Sequence, residues 1–273
     1  MGKKEEFDKI SRDIKSIKIQ GAENIAKAAF KAYSIIPTKS SKNKLLRLRP
    51  TEPMLENVLK IADSISYNEL IEKLDQNQEI INNSVNKLIR NNSIIFTHCH
   101  SSTLAKALIY AKKHGKHFEV YNSETRPLFQ GRRTAKELRK ANIKVTMFVE
   151  SALKIALTKE QDKEEKTNPV DIILLGADAI TKKGVINKVG SGMISDLAKS
   201  NHIPLYVISD SLKFTKKPVK LEQRNPKEIW KNKKIRIENP AFEFIPKENI
   251  VGIVSEFGIL KFNEFLRRVE KNG

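Results

Sequence analysis

The stretch SIIFTHCHSSTLAKALIYAKKHGKHFEVYN, residues 93–122, carries the clearest signal of the fold class. It contains a short apolar run (SIIFT), a segment whose apolar residues have helical spacing (STLAKALIYAKKHG), and a second short apolar run (FEVYN). Short apolar strands that are bounded by polar turns and joined by helices are typical of a parallel sheet covered on both faces. This unit therefore predicts an α/β architecture.

The same alternation continues toward the C-terminus through the segments RRTAKELRKAN, KVTMFVE, VDIILLG and IPLYVIS. We therefore expect a Rossmann-like parallel sheet with helices on both faces, formed by residues 91–273. The charged, proline-terminated stretch TKEQDKEEKTNP, residues 158–169, predicts a solvated loop within it.

The first 90 residues have a different pattern. Apolar side chains recur there at steps of three and four residues, as in amphipathic helices, and Gly21 lies between two such segments. Further helical spacing covers residues 53–66 and 67–90. We expect residues 1–90 to form an N-terminal helical domain, so that 273 residues make two domains.

The positive charge of the chain is concentrated in its second part. Of the formal net charge of +19, residues 1–90 carry +5 (17 basic and 12 acidic side chains) and residues 91–273 carry +14 (34 and 20). A phosphorylated small molecule and a nucleic acid backbone both fit such a field, as does a lysine-rich solvated surface. With 7% aromatic residues and no motif of the common nucleic-acid-binding modules, nucleic acid is the less favoured partner.

The sequence shows no signal for a membrane. No stretch approaches the roughly 18 consecutive apolar residues of a membrane span, and the first residues, MGKKEEFDKI, lack the apolar core of a signal peptide. We therefore expect a cytoplasmic location. The chain contains one cysteine, Cys99, which excludes an internal disulfide framework.

Cys99 lies just beyond the first predicted strand, between His98 and His100. Ser101 and its neighbours open a helix there, and the positive end of the helix dipole would favour thiolate and lower the pKa of Cys99. Alternatively, Cys99 is a small buried core residue. The flanking histidines point to opposite sides of an extended segment and no second Cys/His pair has ligand spacing, so we expect no metal.

Other polar groups follow the later strands. Asp178 comes directly after VDIILLG and is read either as a helix cap or as a group poised for proton transfer. The segment GVINKVGS mixes turn glycines with Asn187 and Lys188, and SDSLKF offers Lys213. Ligands bind beyond the carboxyl ends of parallel strands, so these groups suit an anionic substrate, unless they are ordinary loop charge.

Four segments in this order, THCHSST, YNSETRPLFQGRRTAKEL, ILLGADAIT with GVINKVGS, and YVISDSLKF, resemble one family. LRPTEPM and ENPAFEFIP extend the resemblance, which runs from about residue 14 to the C-terminus. The family comprises the alpha, beta and delta subunits of translation initiation factor 2B, methylthioribose-1-phosphate isomerase and ribose-1,5-bisphosphate isomerase. The resemblance implies an N-terminal helical domain, a Rossmann-like C-terminal domain, and a homodimer or homohexamer, with a nucleotide as a possible effector.

The resemblance also implies the residues of a sugar-phosphate site. The isomerase branches use a cysteine and an aspartate as an acid/base pair at the positions of Cys99 and Asp178, without a cofactor. Which of the two gives and which takes the proton stays open, as does transfer by proton or by hydride. The phosphate-binding positions implied by the motifs are Gly21, Ala22, Arg49, Ser101, Arg126, Asn187, Lys188 and Lys213.

Two departures from the isomerase pattern bear on the choice of branch. The isomerases usually read Arg-Gly-Ala-Gly where this chain has Gln20 and Glu23 around Gly21 and Ala22, and HSST replaces a lysine-containing loop. The favoured hypothesis is an aldose–ketose isomerase that converts ribose 1,5-bisphosphate to ribulose 1,5-bisphosphate in nucleotide salvage and AMP metabolism. The alternative is a noncatalytic initiation factor 2B-like regulatory subunit, and nonspecific RNA binding is a weaker third hypothesis.

Overall fold

Residues 2–158, 168–232 and 234–272 are described by the computed structural model of the protein. Most of the loop predicted for residues 158–169 lies outside them. Five helices precede the first strand: α1 (Lys3–Lys15), α2 (Ala22–Ile35), α3 (Lys39–Leu46), α4 (Pro53–Ile61) and α5 (Tyr67–Leu88). Strands and helices alternate as far as β4, after which several strands follow one another without an α-helix between them. The order is β1 (Ser93–Thr97), α6 (Ser102–Lys113), β2 (Phe118–Ser123), α7 (Gln130–Lys140), β3 (Lys144–Phe148), α8 (Leu153–Leu157), β4 (Ile172–Leu175), β5 (Ala179–Thr181), β6 (Gly184–Lys188), α9 (Ser191–Ser200), β7 (Leu205–Ile208), β8 (Phe242–Pro246), β9 (Gly252–Ser255), β10 (Gly258–Leu260) and α10 (Phe262–Asn272).

The central sheet has seven strands in the order β10-β9-β7-β4-β1-β2-β3. Its neighbouring strands pair in parallel, except that β10 runs antiparallel to β9. The α/β class with a mostly parallel sheet is therefore confirmed. After β1 the chain adds β2 and β3 on one side of it, whereas β4 lies on the other side. β1 and β4 pair with each other, with Phe96 opposite Ile173. The loops that follow these two strands consequently meet at the same edge of the sheet.

The side chains of β1 and β4 explain why helices cover both faces of the sheet. Ile94 and Phe96 of β1 pack into one core, which contains residues of α8, α9 and α10. Ile95 points the other way, into a core with residues of α5, α6 and α7. Because successive side chains of a strand alternate between faces, an uninterrupted apolar run such as IIF is needed to place apolar side chains in both cores.

The predicted helix over residues 53–66 is shorter in the structure, since α4 ends at Ile61. The helical spacing of residues 53–66 does not continue as one helix into α5, because α5 has its own N-terminal cap. The Ser66 side chain accepts a hydrogen bond from the Glu69 N–H (3.2 Å), and the Glu69 carboxylate accepts one from the Ser66 N–H (2.6 Å). This capping box fixes the beginning of α5 and separates it from α4.

A second sheet was not predicted. It is antiparallel with the order β5-β6-β8, and its central strand β6 lies within GVINKVGS. The alternative that the charge of this segment is ordinary loop charge does not fit Gly184–Lys188, because these residues form a buried strand. Only Val185 and Ile186 carry an apolar signal in β6. Its partner β5 is a near neighbour in the chain, but its other partner β8 begins more than 50 residues later, so local pattern could not reveal the three-stranded sheet.

The beginning of α7 is fixed by a close approach to the end of β2. A Cβ atom added at Gly131 would lie 1.8 Å from the Ser123 carbonyl oxygen, and the Gly131 carbonyl accepts a hydrogen bond from Asn122 Nδ2 (2.9 Å).

We predict that Gly131→Ala lowers the free energy of unfolding by about 2–3 kcal/mol, because backbone must move to admit the methyl group. Urea unfolding measures it, and Lys136→Ala on the exposed side of α7 is the control. A change within about 0.5 kcal/mol would contradict this packing.

Candidate active site

A cavity of about 110 Å³ lies where the loops after β1 and β4 meet. The first helices close it from one side, through Gly21 and Ala22 at the start of α2 and through Arg49 and Glu52 before α4. Nine of the ten predicted site residues line this cavity: Gly21, Ala22, Arg49, Cys99, Ser101, Asp178, Asn187, Lys188 and Lys213.

Arg126 is the predicted site residue that the structure does not bring into this cavity. It is exposed, and its guanidinium group lies over the ring of Phe129, 4.9 Å from the ring centroid. Two other arginines, Arg133 and Arg224, line the cavity instead. Arg133 lies on α7 within the segment that carries Arg126, whereas Arg224 lies in a stretch without strand or helix periodicity.

The loop after β1 holds Cys99 in a fixed conformation. Cys99 has a φ of 65°, in the left-handed region, so the loop is not extended there. Its N–H donates to Thr125 Oγ1 (3.0 Å), and its carbonyl accepts from Thr134 Oγ1 (2.8 Å). Ser101 caps α6 by accepting a hydrogen bond from the Leu104 N–H (3.3 Å), as expected for a serine that opens a helix.

The prediction of a lowered pKa for Cys99 is wrong. Burial raises the pKa of the Cys99 thiol to about 12, and the negative charge of Asp178 adds to the rise. A hydrogen bond from the His100 N–H and the charge of Lys188 act in the opposite direction but are weaker. The thiol therefore carries its proton in the free protein near neutral pH, because removal of bulk water outweighs the dipole of α6.

Cys99 supplies a direct readout of that pKa, since it is the one cysteine of the chain. We predict that its alkylation by iodoacetamide accelerates about tenfold per pH unit between pH 7 and pH 10, because the reactive thiolate is a small fraction throughout that range. Mass spectrometry of the intact protein gives the rate, with a free thiol of ordinary pKa as the control. A plateau beginning near pH 8 would show that the thiol is acidic instead.

Asp178 does not cap a helix. It lies between β4 and β5, and its N–H donates to the Ile186 carbonyl (2.9 Å). Within the part of the chain that the structure describes, no hydrogen bond holds its carboxylate. Burial raises the pKa of Asp178, against the opposing charges of Lys213, Arg49 and Lys188. A carboxyl group with a raised pKa and free oxygens is suited to proton transfer.

Lys213 lies in the turn after β7 and is itself buried. Its Nζ donates to the Ala177 carbonyl (2.7 Å), directly beside Asp178. The turn is held from α4, where Asn57 Nδ2 donates to the Leu212 and Phe214 carbonyls (2.8 and 2.9 Å). The ammonium group is thus fixed against the loop that carries the candidate acid/base residue.

Arg49 and Arg224 share Glu222 as a partner. The guanidinium of Arg49 lies 3.2 Å from Glu222 Oε2, and that of Arg224 lies 3.7 Å from Glu222 Oε1 and 3.2 Å from Glu228 Oε1. Both arginine side chains are 8% exposed. They are therefore oriented before any ligand binds, which lowers the entropic cost of holding an anion.

Gln20 and Glu23 both line the cavity, where the sequence departs from the isomerase motif. Lys27 binds the Glu23 carboxylate at 2.7 Å, and Lys106 lies 3.5 Å from the same oxygen. Burial acts to raise the pKa of Glu23, but the Lys27 hydrogen bond and the charge of Lys106 outweigh it and lower the pKa. The added carboxylate is therefore matched by two ammonium groups.

His98 and His100 contact polar groups of neighbouring parts of the chain. His98 Nε2 donates to the Val189 carbonyl (2.8 Å) and Nδ1 faces the Ser123 hydroxyl, while burial lowers the pKa of the imidazole. His100 Nδ1 contacts Thr134 Oγ1 (3.1 Å). In residues 2–158, 168–232 and 234–272 no group of three or more His, Cys, Asp or Glu could hold a metal ion. No helix in those ranges is long and apolar enough to cross a membrane.

Similar proteins include isomerases and initiation factors. Ribose 1,5-bisphosphate isomerase of Methanocaldococcus jannaschii is 32% identical, with 94% of this chain and 91% of that protein covered. Methylthioribose-1-phosphate isomerase of a Thermoanaerobacter species is 34% identical, but the alignment covers 81% of this chain and 66% of that protein.

Among solved structures, translation initiation factor eIF-2B of Pyrococcus horikoshii has the same fold, with a TM-score of 0.80 at 24% identity over 93% of this chain and 96% of that one. The model of the initiation factor 2 subunit family matches residues 18–262, which span both the helices before β1 and the central sheet. The chain therefore belongs to the initiation factor 2 subunit family.

Proposed function

We propose that this protein is an aldose–ketose isomerase that converts ribose 1,5-bisphosphate to ribulose 1,5-bisphosphate. The observation that carries the proposal is the arrangement of Cys99 and Asp178, which lie in adjacent strand-end loops and line one cavity. The isomerase named above, which has this substrate in its name, is 32% identical over nearly the whole chain.

The charges around the cavity favour an anionic substrate. Among the residues that the structure describes, three carboxyl groups line it, those of Glu23, Glu52 and Asp178. One is matched by lysines and the other two have a raised pKa. The cationic side chains outnumber them: Arg49, Arg133, Lys188, Lys213 and Arg224. A substrate with two phosphate groups makes use of such an excess.

Two helix N-termini offer further phosphate contacts. Gly21, with a φ of 86°, precedes α2, and Ser101 precedes α6; both line the cavity. The two helices have 14 and 12 residues. The N-terminus of each helix directs backbone N–H groups and the positive end of the helix dipole toward the cavity. We assign one phosphate to these termini and the other to the arginines.

The reaction requires balanced proton movements. The bond between C1 and the ring oxygen breaks as that oxygen gains a proton, the hydrogen on C2 moves to C1, and the 2-hydroxyl loses its proton to leave a carbonyl at C2. One proton enters and one leaves, so the product is an isomer of the substrate. An acid and a base that face the same sugar can carry out both transfers.

We assign Cys99 to the reacting carbons and Asp178 to the ring oxygen or the hydroxyls. In the free protein the charge of Asp178 helps to keep the thiol protonated. When Asp178 takes up a proton, that repulsion disappears and the pKa of Cys99 falls. The two groups therefore exchange protonation states as a pair, which is what a reaction with one proton gained and one lost requires.

The wider organisation belongs to the same proposal. We infer an N-terminal helical domain of residues 1–90 and a Rossmann-like domain of residues 91–273, which the strand order supports. Assembly into a homodimer or homohexamer, a nucleotide effector, a role in AMP metabolism and a cytoplasmic location stay predictions.

A second candidate is a noncatalytic regulatory subunit similar to initiation factor 2B. The replacement of the isomerase motif by Gln20 and Glu23 favours it, because both residues line the cavity. A regulatory subunit would bind a sugar phosphate or a nucleotide in this cavity without converting it.

The two candidates differ in turnover. Purified protein is incubated with ribose 1,5-bisphosphate, and ribulose 1,5-bisphosphate is measured by chromatography and mass spectrometry, beside reactions with methylthioribose 1-phosphate and ribose 5-phosphate. Conversion of the bisphosphate supports the isomerase. Preferential conversion of methylthioribose 1-phosphate would reassign the substrate, and binding without conversion of any of the three would favour the regulatory subunit.

A further inference from the structure

Glu52 is a buried acid that the proposed reaction does not use. It directly precedes Pro53 at the start of α4, yet its side chain does not cap that helix. The side chain is 2% exposed and lines the cavity. Its Oε1 lies 3.4 Å from Arg49 Nη2, whereas Oε2 has no hydrogen-bond partner within the described residues. A buried oxygen without a partner is costly unless a ligand satisfies it.

The charges that face Glu52 come from four other parts of the chain. Arg49, which precedes α4, and Lys213, in the turn after β7, favour the carboxylate. Asp178, after β4, and Glu222, before β8, oppose it. Burial is the largest influence, and together with Asp178 it raises the pKa of Glu52 to about 8. Near neutral pH the group therefore carries a hydrogen that can be donated.

We propose that Glu52 is a further substrate-contacting residue, which binds as a neutral carboxylic acid and donates its hydrogen from Oε2 to an oxygen of the bound sugar phosphate. This inference rests on the proposed function for the class of ligand. It explains why an acid whose Oε2 has no partner among the described residues lies in a cavity lined by an excess of cationic groups, since the acid form satisfies an acceptor-rich ligand. The carboxylate form would instead repel a phosphate oxygen.

The consequence is a binding affinity that depends on proton uptake. Above about pH 8 the carboxyl group of Glu52 is ionised in the free protein. A ligand that requires the acid form then binds only if Glu52 takes up a proton from solution. The affinity should then fall about tenfold per pH unit, with close to one proton taken up per ligand bound. Burial also lowers the pKa of Lys188, so wild-type data alone would not identify the group.

A pair of variants identifies it. Calorimetry measures the binding of ribulose 1,5-bisphosphate from pH 7 to pH 9.5 to Cys99→Ser protein, which is used to prevent turnover, in two buffers of different ionisation enthalpy. The same titrations are made with the double variant Cys99→Ser/Glu52→Gln, whose amide can donate but does not ionise. Cys99→Ser/Glu56→Gln is the control, because Glu56 lies on α4 outside the cavity, paired with Lys60 and Lys217.

The expected result is a tenfold loss of affinity per pH unit and proton uptake in Cys99→Ser and in the Glu56 control, with neither effect in the Glu52 variant. An alkaline loss that persists in Glu52→Gln would overturn the proposal and point to Lys188. The proposal would also be overturned if none of the three proteins bound the sugar bisphosphate. Binding with Glu52-dependent proton uptake in a protein that does not isomerise ribose 1,5-bisphosphate would sustain this inference and reject the isomerase alone.

Discussion

Replacing Cys99 with serine is expected to lower kcat for ribose 1,5-bisphosphate by about 10³-fold or more. The serine hydroxyl has nearly the same shape as the thiol but a far higher pKa, and burial next to Asp178 raises the pKa at this position further. Serine therefore cannot reach the anionic form during turnover, whereas a thiol with a pKa of about 12 can when Asp178 becomes neutral. Because the loop is held through backbone groups of Cys99, the substitution should leave it in place.

Steady-state kinetics with the purified variant measure this effect, and thermal unfolding checks that the fold is intact. Lys136→Ala, on the exposed side of α7, is the control that should keep wild-type turnover. A Cys99→Ser protein that retains kcat within tenfold of wild type would remove the cysteine from the chemistry.

The second large effect is expected for Asp178→Asn, with a loss of about 10²–10⁴-fold in kcat. The amide keeps the size of the carboxyl group but cannot exchange a proton at neutral pH. The same substitution removes a negative charge that raises the pKa of Cys99. The thiol should therefore become more acidic as the enzyme becomes less active, which separates proton transfer from simple misfolding.

Two measurements on the same sample check this. Turnover gives the loss of activity, and alkylation of Cys99 against pH gives the shift of its pKa, expected downward. Asp75→Asn on the exposed side of α5 is the matched control and should change neither. If Asp178→Asn lowered turnover without changing the alkylation profile, the two groups would not be coupled.

The sequence was most informative where an apolar run or a helical spacing is followed or preceded by a distinctive polar residue or glycine. Uninterrupted apolar runs predict β1 and β4, and the polar residues that follow the two strands were expected at the same edge of the sheet, whereas the pairing of Cys99 with Asp178 was implied by the resemblance to the isomerases. Gly21 between two amphipathic segments likewise predicts the start of α2. The predictions of these strands and of the helix start depend on local pattern alone, which is why they are confirmed.

Features that depend on distant parts of the chain could not be predicted in this way. Strand β6 has two apolar residues, and one of its two partners, β8, lies far along the chain. Arg224 enters the cavity from a stretch without periodicity. The direction of the pKa shift of Cys99 was mistaken because the helix that follows it is local in sequence, whereas Asp178 and the burial that dominates arise only on folding.

A crystal structure of the Asp178→Asn variant with ribose 1,5-bisphosphate would show whether Cys99 and Asp178 act on one bound sugar. We expect C1 or C2 of the sugar about 3–3.5 Å from Cys99 Sγ, with the amide of the substituted residue at the ring oxygen or a hydroxyl. We also expect the two phosphate groups at the helix N-termini and the arginines. A sugar bound with its C1 and C2 turned away from Cys99, or bound outside this cavity, would show that the two residues do not act on it together.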